Sequence, residues 1–498
     1  MKLRGQLLLV FLDFSMHVLT TSISSAQIPE RPSGGVSIQG AGTLWGMGST
    51  TGGALGEAGE SNYLFPVEIV EGVKAIANGN VHTLFIKEDN TLMAMGRNVQ
   101  GQLGDGTTTN RSSPVEIADG AISVAAAITF SMFVKEDGTL MGMGRNRFGE
   151  LGDGTTEARQ TPVKVDSGVK HVFAGERRTL YIKNDGTLWG MGLNDKGALG
   201  DGTMENKSSP IMIDTEVLSA STGRSHSLYL KSDGTMMGMG FSEHGELANT
   251  GESAILTPVE IDTDVAAVAA SNDWSLYLKA DGTLMAMGLN EFGQLGVGDM
   301  VAKSSPVIVD EDVQAIAVGW EHGLYIKKNG SLMAMGRNDE GQLGDGTETN
   351  RLSPVQIALG VLAISASETR SMFIKGRTFV SWLESFFTGE EQQNPNITGQ
   401  EADPDGDGLS NYFEFLANFD PVDSDSRLKH NFETGVSSTL QIWPLTNRSN
   451  FEVQTSTNLS SWTLLDSNLY VISGDTLKID LINLSTRSFF RIEFFDKN

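Results

Sequence analysis

The sequence runs to 498 residues with 36 Lys and Arg against 62 Asp and Glu, a formal charge of −26. That balance opposes duplex binding, which needs clustered basic side chains to displace phosphate counterions, and it opposes attachment to an anionic membrane surface. Cysteine is absent, which excludes disulfide staples, thiolate metal sites and a cysteine nucleophile, and 58 glycines against 13 prolines point to many tight turns rather than a disordered linker.

The chain opens with Lys2 and Arg4, an apolar run from Leu7 to Phe14, and Ser24-Ser25-Ala26 ahead of Gln27. Basic, apolar and small-residue regions in that order predict a secretory signal over residues 1–26, so the mature chain is expected outside the cytoplasm. No later segment approaches the roughly 20 apolar residues that a membrane span requires.

From there the sequence repeats itself. GTLWGMG ends at Gly48, and its relatives NTLMAMG, GTLMGMG, GTLWGMG, GTMMGMG, GTLMAMG and SLMAMG follow, with apolar anchors at Leu44, Leu92, Leu140, Leu188, Met236, Leu284 and Leu332. Each interval is 48 residues, without an insertion. Within one copy, Ser227 to Gly240 reads as two apolar runs joined by Asp233-Gly234, a hairpin whose turn supplies positive φ angles; Asp137-Gly138, Asp185-Gly186, Asp281-Gly282 and Asn329-Gly330 repeat it. A glycine-rich loop, a Ser-Pro-Val-x-Ile strand and a small-residue strand such as Val73 to Ala77 complete the unit. Four short strands repeated seven times predict an all-β fold, a seven-bladed β-propeller over residues 36–376, because stacking blades about an axis buries both faces of every sheet. Ser371 to Lys375 is expected to pair with Gly42 to Gly48 and latch the ring. Val36 to Gln39 and Arg377 to Trp382 also look like hairpin halves, and Val36 to Gln39 is the one expected to be displaced.

These units resemble regulator of chromosome condensation repeats, on the strand Gly223 to Lys231 (GRSHSLYLK), the DGT turn, and Gly288 to Gly296 (GLNEFGQLG). The resemblance covers about Val36 to Lys375 and implies a seven-bladed propeller. One departure is consistent: where the family often has Trp before the strand-ending Gly, this chain has Met47, Met95, Met143, Met191, Met239, Met287 and Met335. Methionine fills irregular gaps, so a core role is expected of all seven. The family also brings guanine-nucleotide exchange and chromatin binding to mind, but the uniform spacing leaves no inserted wedge, and the acidic charge and export signal oppose both.

The loops before the second strand vary while the frame stays fixed. Their last position reads His82, Phe130, Arg178, His226, Trp274, His322 and Arg370. Trp and Arg are enriched at binding hot spots, so the expected partner face comprises Phe130, Arg177, Arg178, Arg224, Asp273, Trp274, Trp320 and Glu321. The three histidines are expected to hydrogen-bond the frame, as the family's HSL motif implies, and their separation in the repeat opposes a shared zinc. Asp105, Asp153, Asp201 and Asp345 in the LGDGT loops read as turn caps, since one acid per loop is too few for calcium.

Between Glu390 and Asp425 stand ten acids and no Lys or Arg. Within them, Asp403, Asp405, Asp407, Gly408, Leu409, Asn411 and Glu414 fall at positions 1, 3, 5, 6, 7, 9 and 12 of a calcium loop, where hard oxygens wrap one cation. Pro395 and Gly399 discourage an entering helix, so the loop looks like a single dockerin-type site. Residues 377–425 are thus expected to hold a short helix, with Phe379, Trp382, Leu383, Phe386 and Phe387 on one side, and a Ca2+ loop. Residues 426–498 alternate apolar and polar and predict a small β-sandwich. The stretch around the loop resembles a C-terminal module of exported bacterial proteins, which implies an accessory or surface-retention role. Together these readings describe a secreted, monomeric, non-catalytic scaffold that recognises a protein or glycan. The alternative is an exported carbohydrate-directed enzyme using a pair among Glu176, Asp273 and Glu321, which would need two carboxylates about 5–10 Å apart; nucleotide exchange rests on family analogy alone.

Overall fold

A computed structural model describes residues 36–56, 62–248 and 254–376, with side chains from 42 onward, five isolated positions between 387 and 404, and the backbone of seven strands between 429 and 494. The chain divides into a body spanning 27–376 and a second body that takes in 377–498. The expected signal segment 1–26, Arg377 to Trp382 and every expected calcium ligand lie outside the described residues.

The unit is set by local chemistry. In 217–262 the ladder runs Val217–Thr222, His226–Lys231, Met236–Phe241 and Ala254–Asp262, each strand antiparallel to the next. The second strand is buried along nearly its whole length, because both of its faces meet protein. The hairpin turn differs in detail from the two-residue form read from Asp-Gly. Lys135 N donates to Thr139 O and Gly138 N to Lys135 O, so three residues form the loop, and only Gly138 takes positive φ (+78°). The Asp137 carboxylate instead accepts from Thr139 N at 2.9 Å, closing an Asx turn.

Separate four-stranded sheets of this form cover 121–166, 169–214, 217–262, 265–310 and 313–358. Residues 36–118 and 361–375 join in one seven-stranded sheet, because the long strand Tyr63–Asn78 serves two units. Its first half pairs with Leu44 to Gly48 and its second half with the strand His82–Lys87. The latch is present: Thr43 pairs with Lys375, Trp45 with Phe373 and Gly48 with Arg370. Val36 and Ser37 do not occupy that hairpin slot; their backbone pairs instead with Ile76 and Ala75. Successive inner strands lie side by side, and Val361–Ala366 lies against Tyr63–Asn78, so the series returns to its start. The architecture is a β-propeller built from repeated four-stranded sheets.

The core lies between sheets. Met143 packs with Ala77, Leu84, Leu92 and Leu103 of the preceding unit, and Met47 packs with Leu324, Leu332 and Leu343. All seven methionines of the repeat are fully buried. Met47, Met143, Met191, Met239 and Met335 sit where the neighbouring glycine loop comes closest: a Cβ on Gly104 would overlap Met143 Sδ, and one on Gly344 would overlap Met47 Sδ. In the second body, the backbone forms one sheet from 429–433, 439–443, 476–480 and 470–473, and another from 463–464, 451–456 and 489–494.

Candidate binding face

The position that opens each second strand is a buried seat. His82, Arg178, His226, Trp274, His322 and Arg370 are fully buried there, and Phe130 is nearly so. Each of the three histidines reaches the next unit through Nε2, to Ser131, Ser275 and Ser371 at 2.8 Å. Burial, aided by a nearby arginine, pushes all three imidazoles down to about 3. Arg178 does the same work with more donors, to Leu193 O, Gly223 O and Arg224 O at 3.0–3.1 Å. Trp274 Nε1 donates to Trp320 O at 2.7 Å. Phe130, Arg178 and Trp274 are therefore frame residues that tie adjacent sheets, and the surface role expected of them moves elsewhere. Identity at this position varies because several side chains can span the same gap, so variability there did not signal exposure.

The surface begins two residues earlier. Asn80, Ile128, Glu176, Arg224, Asn272, Trp320 and Glu368 stand at a constant interval of 48; the first six line one cavity on the axis, beside the ends of the inner strands, and Glu368 follows the lining residue Ser367. The cavity holds about 150 Å³, below the roughly 300 Å³ at which small-molecule pockets begin. Its mouth is chemically uneven. Glu176 sits between Arg177 at 3.3 Å and Arg224 at 3.7 Å, and Glu368 accepts from Asn80 Nδ2 at 2.8 Å. Burial raises the Glu368 carboxyl above its ordinary value, and Glu321 nearby adds to the shift. Asp273 is also raised by burial, against the pull of Arg224. Glu321 is tied to Arg337 at 2.8 Å.

Of the expected face, the structure thus keeps Arg177, Arg224, Asp273, Trp320 and Glu321 at or near the rim, with Arg224 the most open. Asn80 and Glu368 were missed, although stepping 48 residues either way from Glu176 or Trp320 finds both. Also missed was the loop Arg145 to Glu150 beside Arg177, whose signal is RNRFGE in place of the usual RNxxGQ. Glu176 and Glu321 each belong to an arginine pair of their own.

The glycine loops hold the rim. Asp105 accepts from Asn98 Nδ2, Thr107 N and Arg111 Nε at 2.7–3.0 Å, which keeps its carboxyl below the usual range despite partial burial. Asp153 and Asp345 repeat the arrangement with Arg159 and Arg351, and Asp201 uses Lys207. The turn role expected of these acids is what the loops show. Asn98, Asn146, Asn194, Asn290 and Asn338, all fully buried, cap the same loops by accepting from Leu103, Leu151, Leu199, Leu295 and Leu343 N. In the loop after Phe241, Ser242 replaces the asparagine and still accepts from Leu247 N.

Comparison with known proteins agrees with this geometry. The family model described as "Regulator of chromosome condensation (RCC1) repeat" matches residues 137–182, 185–230, 281–326 and 329–374, and a second model of that description matches 169–198 and 313–342. Among solved structures, human WBSCR16 is similar at 18% identity, covering 68% of this chain and 100% of that one, with a TM-score of 0.61. Prp20p from Saccharomyces cerevisiae is similar at 18% identity, 70% and 94% coverage and a TM-score of 0.62. Yeast RCC1 (Prp20) bound to Kap60 gives 17%, 77% and 99%, with 0.61. No curated protein sequence matches the chain. The chain carries RCC1 repeats, and its first body is an RCC1-like β-propeller.

Proposed function

We propose that the protein is a secreted, non-catalytic scaffold: a seven-bladed propeller that recognises a protein partner through the mouth of its axial cavity. One observation carries this reading. Seven positions, from Asn80 to Glu368, carry five kinds of side chain (Asn, Ile, Glu, Arg and Trp) at a fixed interval on a frame that is otherwise repeated. A constant frame with a varied rim suits selection of one partner, and a 150 Å³ cavity suits solvent better than a substrate. Prp20p, whose structure is described together with its binding to Gsp1p and histones, is a protein binder on a similar frame; those partners are its own.

The test is capture of secreted or surface proteins by the full chain, followed by Trp320→Ala. A partner held by the wild type should be lost or weakened at least tenfold by Trp320→Ala with the melting temperature unchanged; equal capture by both rejects this face. The Ca2+ loop of Asp403, Asp405, Asp407, Leu409, Asn411 and Glu414 is the second part of the proposal, as a stabiliser of residues 377–498. Chelation should speed proteolysis within 377–498 of the full chain, and Asp407→Ala should reproduce the effect without chelator. A cleavage pattern indifferent to both treatments removes the ion.

A further inference from the structure

We propose that Arg145, Arg147 and Arg177, gathered beside Phe148, together with Arg224, which is joined to them through Glu176, dock a short acidic segment of a partner protein; the inference rests on the scaffold reading and names the chemistry recognised. The guanidinium carbons of Arg145, Arg147 and Arg177 lie 5.5, 5.6 and 5.6 Å from the Phe148 ring centroid, within cation–π range. Arg177 leads through Glu176 to Arg224, so the cluster is continuous with the rim of the axial cavity.

The repeat supplies an internal comparison. At Phe292, three copies after Phe148, Arg337 of the following copy lies 5.2 Å from the ring centroid, where it is matched by Glu321 at 2.8 Å and Asp339 at 2.6 Å. There the charge is spent. At Phe148 the balance is different. Glu176 is shared by Arg177 and Arg224, and Glu150 approaches Arg145 only to 3.9 Å. Glu150 is almost fully buried and occupied in accepting from Phe148 N at 2.7 Å, and burial raises its carboxyl. Arg147 is exposed and has no carboxylate within 4 Å among the described residues. Within 4 Å, four guanidiniums thus share two carboxylates, and Asp273 acts on Arg224 from further away, which leaves forked donors free for further carboxylates.

A net charge of −26 selects the size of the ligand. An extended polyanion would be repelled along most of its length, whereas a segment bearing a few carboxylates can sit inside this island, within about one Debye length of its arginines. Phe148 adds an apolar and cation-polarised floor for the segment's aliphatic parts.

The experiment uses fluorescence anisotropy with the full chain and a labelled twelve-residue peptide containing four glutamates. Binding should weaken at least tenfold in Arg147→Ala/Arg177→Ala and further in Arg147→Glu, with circular dichroism melts unchanged. It should stay within twofold in Arg97→Ala, which removes an exposed arginine at the position of Arg145 one copy earlier. Equal weakening by Arg97→Ala, equal binding of the glutamine version of the peptide, or tighter binding of polygalacturonate at matched charge would each overturn the proposal. If the peptide fails while Trp320→Ala still abolishes partner capture, the face stands and the acidic-segment assignment falls.

Discussion

At the seat that opens each second strand, seven residues solve one problem: bridging to the next sheet. Trp274 fills its seat completely and keeps its indole N–H bonded to Trp320 O. Trp274→Ala should therefore destabilise the propeller by about 3–5 kcal/mol, read as a drop in melting temperature, whereas Trp320→Ala should leave the melt unchanged. The histidines carry a pH signature. The unfolded chain protonates each one as pH falls through about 6.5, and the native state resists until about 3. Stability is thus full above 6.5 and declines as pH falls between these values, since the unfolded chain then binds more protons. Carboxyls raised by burial, such as Glu150 and Glu246, act in the opposite sense, so the informative measurement is a difference. His322→Gln should flatten the slope between pH 6.5 and 5 by about a third, one site of three comparable ones; an unchanged slope would remove the histidines as its source.

Between elements, the recurrent contact is methionine against a glycine loop of the neighbouring unit. Gly344 has φ +73° and its α-carbon faces Met47 Sδ. Gly344→Ala combines a left-handed backbone with overpacking and should cost about 2–4 kcal/mol. In a Met47→Ala background the clash disappears, so the same change should cost about 1–2 kcal/mol less; strictly additive melts would show that the two do not interact. This contact was half legible in the sequence. The 48-residue interval, the Asp-Gly hairpins and the latch could be read because each depends on local turn chemistry or on one pairing of matched strands. That methionine belongs in the core followed from its place in the strand, but which glycine it meets depends on how one sheet stacks on the next. The face was read less well for the same reason. Phe130, Arg178 and Trp274 directly follow two partly exposed residues, and no local signal separates a side chain that turns into the gap between sheets from one that turns out to the rim.

For the molecule as a whole, closure depends on two borrowed strands, Thr43 to Gly48 and, beside it, the first half of Tyr63–Asn78. The pairing of Thr43 to Gly48 with Arg370 to Lys375 supplies the third strand of the last sheet from the beginning of the chain. Deleting residues 36–48 would leave two strand edges open, and the melting temperature should fall by at least ~10 °C, the shift expected for a loss of several kcal/mol in a domain above 200 residues. A synthetic peptide of residues 36–48 added to that variant should restore the melt; failure of the peptide to bind would mean that the strand must be covalently attached to seat. The register of this pair also fixes its response to tension. Thr43 lies opposite Lys375, so the incoming and outgoing chain leave the seam at the same end. A pull on both would load the interstrand hydrogen bonds one after another, along their own axes, and the toroid would open like a zipper at low force instead of resisting as a sheared ladder.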